Sequence, residues 1–195
     1  MNDIKASGEA LNHSFNSLLD VSRLDAGVVE PSPRHFDLLT YMSPLVRDAT
    51  ALATEKRLIF KTSSNKCVVL ADPVLLERIL NNLISNAVTY TDDGSVSVDW
   101  RKLDNGRVRV LVEDTGIGIE EERLPHIFKR FYQVDDGVTR KAEGTGVGLA
   151  LTRELVHLLS GEITAESELY FIEKECYQCN NKLKYQLGDS IFFEE

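Results

Sequence analysis

The sequence predicts an α+β fold, a two-layer sandwich with one sheet and helices against one face, and three observations carry that expectation. Helical stripes and short strand-like runs follow in the order helix, strands, helix, hairpin, glycine loop, long connection, helix, strand. Val96, Val98 and Trp100, set against Ser95, Ser97 and Asp99, have the two-residue period of a half-buried strand. Asn105-Gly106 then turns that strand into RVRVLVED, a strong hairpin signal. A chain of 195 residues, 43% hydrophobic and 27% charged, can bury one good core.

Each element has its own local justification. Residues 3–26 carry Ile4, Leu11, Phe15, Leu18 and Leu19, then Ser22, at three- and four-residue intervals, the stripe of an amphipathic helix that needs a partner and stops at Gly27. A lone helix of this kind buries little, so self-association through residues 3–26 is expected. The following VVEPSPRHFDL holds Pro31 and Pro33 and reads as an extended linker over residues 28–37. Leu45, Ala49, Leu52 and Ala53 suggest a second helix, and LIF and CVVLA suit strands. Asp72-Pro73 caps and opens a helix whose apolar face runs Leu76, Ile79, Leu80, Leu83 and Ala87. A final helix is expected over residues 146–159, and no internal repeat or low-complexity segment interrupts the chain.

Composition narrows the partners. A formal charge of -9 with no clustered Lys/Arg stripe argues against nucleic acid. No apolar run approaches the roughly 18 residues of a membrane span, and MNDIKASGEA has no secretory apolar segment, so a cytoplasmic chain is expected. Of the three cysteines, Cys176 and Cys179 form CYQC, but a zinc site wants about four ligands and no second pair is present; reduced thiols are the preferred reading, Cys67 included.

Three glycine- and amide-rich stretches carry chemistry. Asn82 and Asn86 stand four apart on the Asp72 helix and project from one face. Carboxamides offer neutral oxygens to magnesium or its waters and amide protons to phosphate; two solvated asparagines are the alternative. In VEDTGIGI, Asp114 ends a strand with Gly116 and Gly118 behind it, placing an acceptor for an exocyclic amine beside backbone that a purine ring can approach, or forming only a turn. In EGTGVGLAL, Gly144, Thr145, Gly146, Gly148 and Leu149 open a helix whose free N–H groups and dipole suit phosphate, although ligand-free loops share this spacing. Between the two glycine clusters, residues 126–143 are too long for a bland connection and read as a mobile lid.

Taken together and in this order, NNLISNAVTYT, DTGIGI, IFKRFYQ and GTGVGLAL resemble the asparagine, first glycine, phenylalanine and second glycine boxes of the sensor histidine kinases of two-component systems. These belong to the wider superfamily of gyrase, the Hsp90 chaperones and MutL. The resemblance covers about residues 38–168, and LLDVSRLDAG resembles the second helix of the family's dimerisation and phosphotransfer domain. It implies a Bergerat-type ATP-binding fold with ATP and Mg2+ as cofactors: Asp114 on adenine, Asn86 and Asn82 on magnesium and phosphates. Gly116, Gly118, Gly144, Gly146 and Gly148 would shape pocket and lid hinges, and Phe128 and Phe131 would anchor the lid. Arg140 is a candidate phosphate contact or, equally, a solvated lid charge. Implied partners are a histidine phosphotransfer domain and the receiver domain of a response regulator.

Asn82 stands where hydrolysing relatives resemble one another in having Glu, a base for water, so transfer of the γ-phosphoryl is expected over hydrolysis. None of His13, His35, His126 or His157 fits the family's acceptor pattern, and all four read as surface histidines, which favours a fragment of a longer sensor. A non-catalytic nucleotide-gated interaction module and an autonomous ATPase are the competing classes. Thr89 replaces a common basic residue. After GEITAESE the chain continues LYFIEKECYQCNNKLKYQ before LGDSIFFEE, so residues 169–195 form an atypical insertion or tail, in which Gly188, Ser190 and Phe192 are candidates for a displaced last strand.

Overall fold

A computed structural model describes residues 15, 19–24, 26–133, 145–168 and 182–191. The N-terminal helix α1 is described at residues 15 and 19–24. It ends as its sequence dictates: Gly27 takes φ +65°, its N–H donates to the Leu24 carbonyl at 2.9 Å, and the Val28 N–H reaches the Arg23 carbonyl at 3.1 Å. This pair of bonds is a Schellman stop, satisfying carbonyls the helix would otherwise leave open.

The segment expected to be a plain linker is partly a strand. β1 (Arg34–Asp37) pairs antiparallel with β3 (Val68–Ala71), a partner too distant in sequence for local signals to reveal. Asp37 then caps α2 (Leu38–Glu55), its Oδ1 accepting from the Leu39 and Cys67 N–H groups at 3.3 and 3.1 Å. Leu45, Ala49 and Ala53 of α2 are buried, whereas Leu52 is 46% exposed and lies off the core face.

α3 (Pro73–Tyr90) opens as predicted. Asp72 Oδ1 accepts from Val74 and Leu75 at 2.8 and 3.1 Å, a cap that contributes about 1 kcal/mol. The other Asp72 oxygen accepts the Ser32 N–H at 2.8 Å and ties the proline-rich segment to this helix start.

The main sheet has five strands in the order β2 (Ile59–Thr62), β4 (Ser95–Lys102), β5 (Val108–Asp114), β7 (Lys182–Ile191), β6 (Glu162–Glu168). β2 and β4 are parallel and the other pairs antiparallel, with Val98 opposite Val112 and Trp100 opposite Val110. Gly188 and Ser190 thus fall in a strand inserted between β5 and β6, while Phe192, Cys176 and Cys179 lie outside the described residues.

Alternation decides which face is buried. Val96, Val98, Trp100, Val108, Val110 and Val112 point inward against Leu76, Ile79, Leu80 and Leu83 of α3, and α4 (Gly148–Leu158) adds Leu155 and Val156. Each fully buried aliphatic side chain contributes about 1.5–3 kcal/mol. The same row ends on Asp114, so the strand's period delivers a carboxylate to the edge of an apolar core. Cys67 is a free, buried thiol held above its ordinary value by burial. Among the described residues, no helix is long and apolar enough to cross a membrane.

Candidate nucleotide site

Asp114 is 1% exposed at the end of β5. Its Oδ1 accepts the Gly116 N–H at 2.9 Å, while Oδ2 is buried with no partner among the described residues. Burial pushes this carboxyl up to about 6, opposed by the Gly116 N–H and abetted by the neighbouring charge of Glu113. The Thr91 hydroxyl, engaged at 2.7 Å with the Ala87 carbonyl, opposes the rise only weakly. An unpaired buried carboxylate oxygen is costly, and it fits a donor arriving from a ligand, such as the exocyclic amine of adenine.

Gly116 is required by space rather than by φ: a Cβ there would collide with the Tyr90 carbonyl and come 2.9 Å from Asp114 Oδ1. The Ile117 N–H meets the same Tyr90 carbonyl at 3.2 Å, so the first glycine loop is seated on the C-terminal end of α3. Thr115 fixes the loop's other side, accepting the Ser95 N–H at 2.9 Å.

Asn82 and Asn86 are both half-buried on α3, one turn apart. Among the described residues no side chain holds the Asn86 carboxamide. Asn82 Nδ2 donates to Thr152 Oγ1 of α4 at 2.8 Å, and a Cβ on Gly148 would strike Asn82 Oδ1. The second glycine cluster therefore packs directly on the asparagine helix: Gly148 and Thr152 meet Asn82 in the middle of α3, while Gly116 of the first glycine loop sits at its C-terminal end against Tyr90. Neutral amide oxygens and the N-terminal end of α4 form a donor set that fits a magnesium-bound phosphate chain. Among the described residues there is no His/Cys/Asp/Glu cluster able to hold a metal by itself.

The start of the expected lid divides its two phenylalanines. Phe128 packs on the core, whereas Phe131 is 70% exposed. What holds Phe131 is its backbone, which takes φ +63° and donates its N–H to the Gly146 carbonyl at 2.8 Å. Gly118 and Gly146 take positive φ, and Thr145 and Leu149 are half-buried. Arg140 and Gly144 lie outside the described residues, as does His13. His35 and His157 are exposed, but His126 is half-buried, edge-on to Tyr132 with centroids 5.8 Å apart.

Sequence reasoning missed three residues. Thr91 is only the last letter of NNLISNAVTYT, and Thr152 sits on an apolar helix face where nothing local marks it. Lys56 sends its ammonium to the carbonyls of Val88, Thr89 and Thr91 at 2.7, 3.0 and 3.2 Å, placing a cation on the C-terminal end of α3 beside the residue, Thr89, that lacks one.

Comparison with known proteins agrees with this fold. Residues 71–178 match the family described as Histidine kinase-, DNA gyrase B-, and HSP90-like ATPase. Over 171 residues the chain is 34% identical to the autoinducer 2 sensor kinase/phosphatase LuxQ of Vibrio vulnificus (strain YJ016), an alignment covering 84% of this chain and 20% of that protein. Over 169 residues it is 35% identical to the aerobic respiration control sensor protein ArcB of Escherichia coli (strain K12), covering 85% and 22%. Full-length ShkA, solved in complex with AMPPNP, superposes with a TM-score of 0.77 at 28% identity, covering 95% of this chain and 37% of that one. Histidine kinase AdeS of Acinetobacter baumannii shares the fold, with a TM-score of 0.75 at 20% identity over 97% of this chain and 83% of that one. The chain spans about a fifth of the length of these curated relatives. It belongs to the family of histidine kinase-, DNA gyrase B- and HSP90-like ATPases, in which it is an ATP-binding catalytic domain of the histidine kinase kind.

Proposed function

We propose that this chain is the catalytic half of a sensor histidine kinase in a phosphorelay: it binds ATP with Mg2+ and presents the γ-phosphoryl to a histidine on a phosphotransfer domain. The receiver domain of a response regulator would take the phosphoryl onward. The observation that carries the reading is the unpaired, buried Asp114 Oδ2, which selects a donor-bearing ring edge at the foot of a loop seated on the asparagine helix.

In this reading Asp114 accepts from adenine, and Gly116 lets the loop that carries the carboxylate sit against the Tyr90 carbonyl, where any side chain would collide. Asn86 and Asn82 hold the metal, which when bound supplies charge neutralisation to the phosphates. Asn82 is an amide, and neither of its atoms can take a proton from water at neutral pH, so the site favours transfer to a positioned nucleophile over hydrolysis. The acceptor histidine comes from outside this chain's described site, through a homodimer of α1 or a partner subunit. A cytoplasmic setting follows from the need for ATP.

Mixing the chain with a separately made phosphoacceptor domain and radiolabelled ATP tests the proposal. Label on histidine, dependent on Mg2+ and abolished by Asp114→Asn, is the expected result. Tight nucleotide binding with no transfer to any acceptor would contradict it.

A further inference from the structure

We infer that Thr152 is a positioning residue: its hydroxyl, one turn along α4 from the bare Cα of Gly148, hydrogen-bonds the Asn82 carboxamide and holds it against the start of α4. The inference rests on the reading of Asn82 as a metal- and phosphate-facing group. Thr152 is 1% exposed, on the face of α4 that also buries Leu155 and Val156. Valine would fill the same space, so packing does not ask for a hydroxyl there. What the hydroxyl meets is Asn82 Nδ2, at 2.8 Å and 70 residues away in sequence. Across the same carboxamide, Oδ1 occupies the space a Cβ on Gly148 would need.

The consequence is chemical. A carboxamide has a donor end and an acceptor end, and only the acceptor end suits a cation. With the nitrogen donating to Thr152, the oxygen lies beside Gly148, the first residue of α4, where a helix N-terminus favours phosphate. Flipped, Asn82 would turn its NH2 toward a bound cation. The Gly148 position thus does more than open a loop, and Thr152 acts on bound metal only through Asn82.

Thr152→Val and Thr152→Ser in the full chain test this. In the free protein the side-chain NH2 signals of Asn82 in an 15N-labelled sample should shift in the Val variant and stay in the Ser variant. The Mg2+ concentration giving half-maximal AMPPNP binding should rise roughly three- to tenfold for Val, the range expected from one lost hydrogen bond, and return toward wild type for Ser. Adenosine affinity, which depends on Asp114, should be unchanged in both. Wild-type Mg2+ dependence and unshifted Asn82 signals in the Val variant would overturn the positioning role, as would equal losses for adenosine and AMPPNP, which would mark a general packing defect. Should the wild-type chain bind no nucleotide, the functional reading falls, and the Asn82 signals alone then decide whether Thr152 holds Asn82.

Discussion

The Gly116 N–H donates to Asp114 Oδ1 at 2.9 Å while Asp114 Oδ2, on the same buried carboxyl, has no partner among the described residues. A half-satisfied carboxylate at the rim of an apolar core is a poor way to stabilise a fold and a good way to select a ligand.

Asp114→Asn should therefore separate stability from binding. Burial raises this carboxyl from 3.8 to about 6, so the folded state holds the proton more tightly than the unfolded chain. Charging it costs stability that is absent below about pH 4, grows through the interval to pH 6 and is full above; the rise corresponds to at most ~3 kcal/mol. The Asn variant should melt higher than wild type at pH 7.5, with the difference vanishing near pH 4. Calorimetric titration of the same variant should show ATP affinity reduced at least tenfold, because an amide NH2 facing the adenine amine leaves two donors opposed.

Gly116→Ala should act by collision. Its Cβ would meet a backbone carbonyl, that of Tyr90, which cannot swing away as a side chain would. Overpacking of this kind costs about 1–3 kcal/mol, and the displaced loop should lose nucleotide before the domain loses its fold. Circular dichroism paired with a fluorescent-nucleotide titration measures both.

Lys56 caps α3 with three carbonyl contacts, complementing the helix dipole beside Thr91 and Asp114. Lys56→Met preserves the stem and removes the charge. It should lower stability by about 1–2 kcal/mol in urea unfolding and weaken nucleotide binding through a frayed α3 terminus.

Arg78 pairs with Asp20 of α1 at 2.9 Å, with the arginine side chain 45% exposed. Screening limits such a pair, and a double-mutant cycle on Asp20→Asn and Arg78→Gln should give a coupling of about 0.2–1 kcal/mol, falling with salt. Its larger effect should be local: faster amide exchange at residues 19–24, where Leu24, packed against the core, would remain to hold α1 on the domain.

What the sequence announced was whatever its own period and punctuation encode. The rows Val96–Val98–Trp100 and Val108–Val110–Val112, the Asp72 cap and the stop at Gly27 are local events, and each stands where local chemistry puts it. Long-range pairing was not legible: Arg34–Asp37 form a strand only because Val68–Ala71 is there to receive them, and β7 enters between β5 and β6 from residue 182 onward. The site divides the same way. Asp114 and the asparagine pair stood out because polar residues broke an apolar pattern, whereas Thr152 and Lys56 act through partners 32 to 70 residues away, on carboxamide and carbonyl groups. Phe131, expected to anchor the lid, takes a positive φ, is 70% exposed and donates its backbone N–H to the Gly146 carbonyl, a long-range contact that no local pattern marks.

The most direct measurement is the titration of the Asp114 carboxyl, followed by 13C NMR with and without saturating ADP and Mg2+. Free, it should titrate near 6; with nucleotide bound, a donor on Oδ2 should hold it well below that value, and affinity should accordingly decline as pH falls through 6. An Asp114 midpoint unmoved by saturating nucleotide would contradict the claim that adenine is read by this carboxylate.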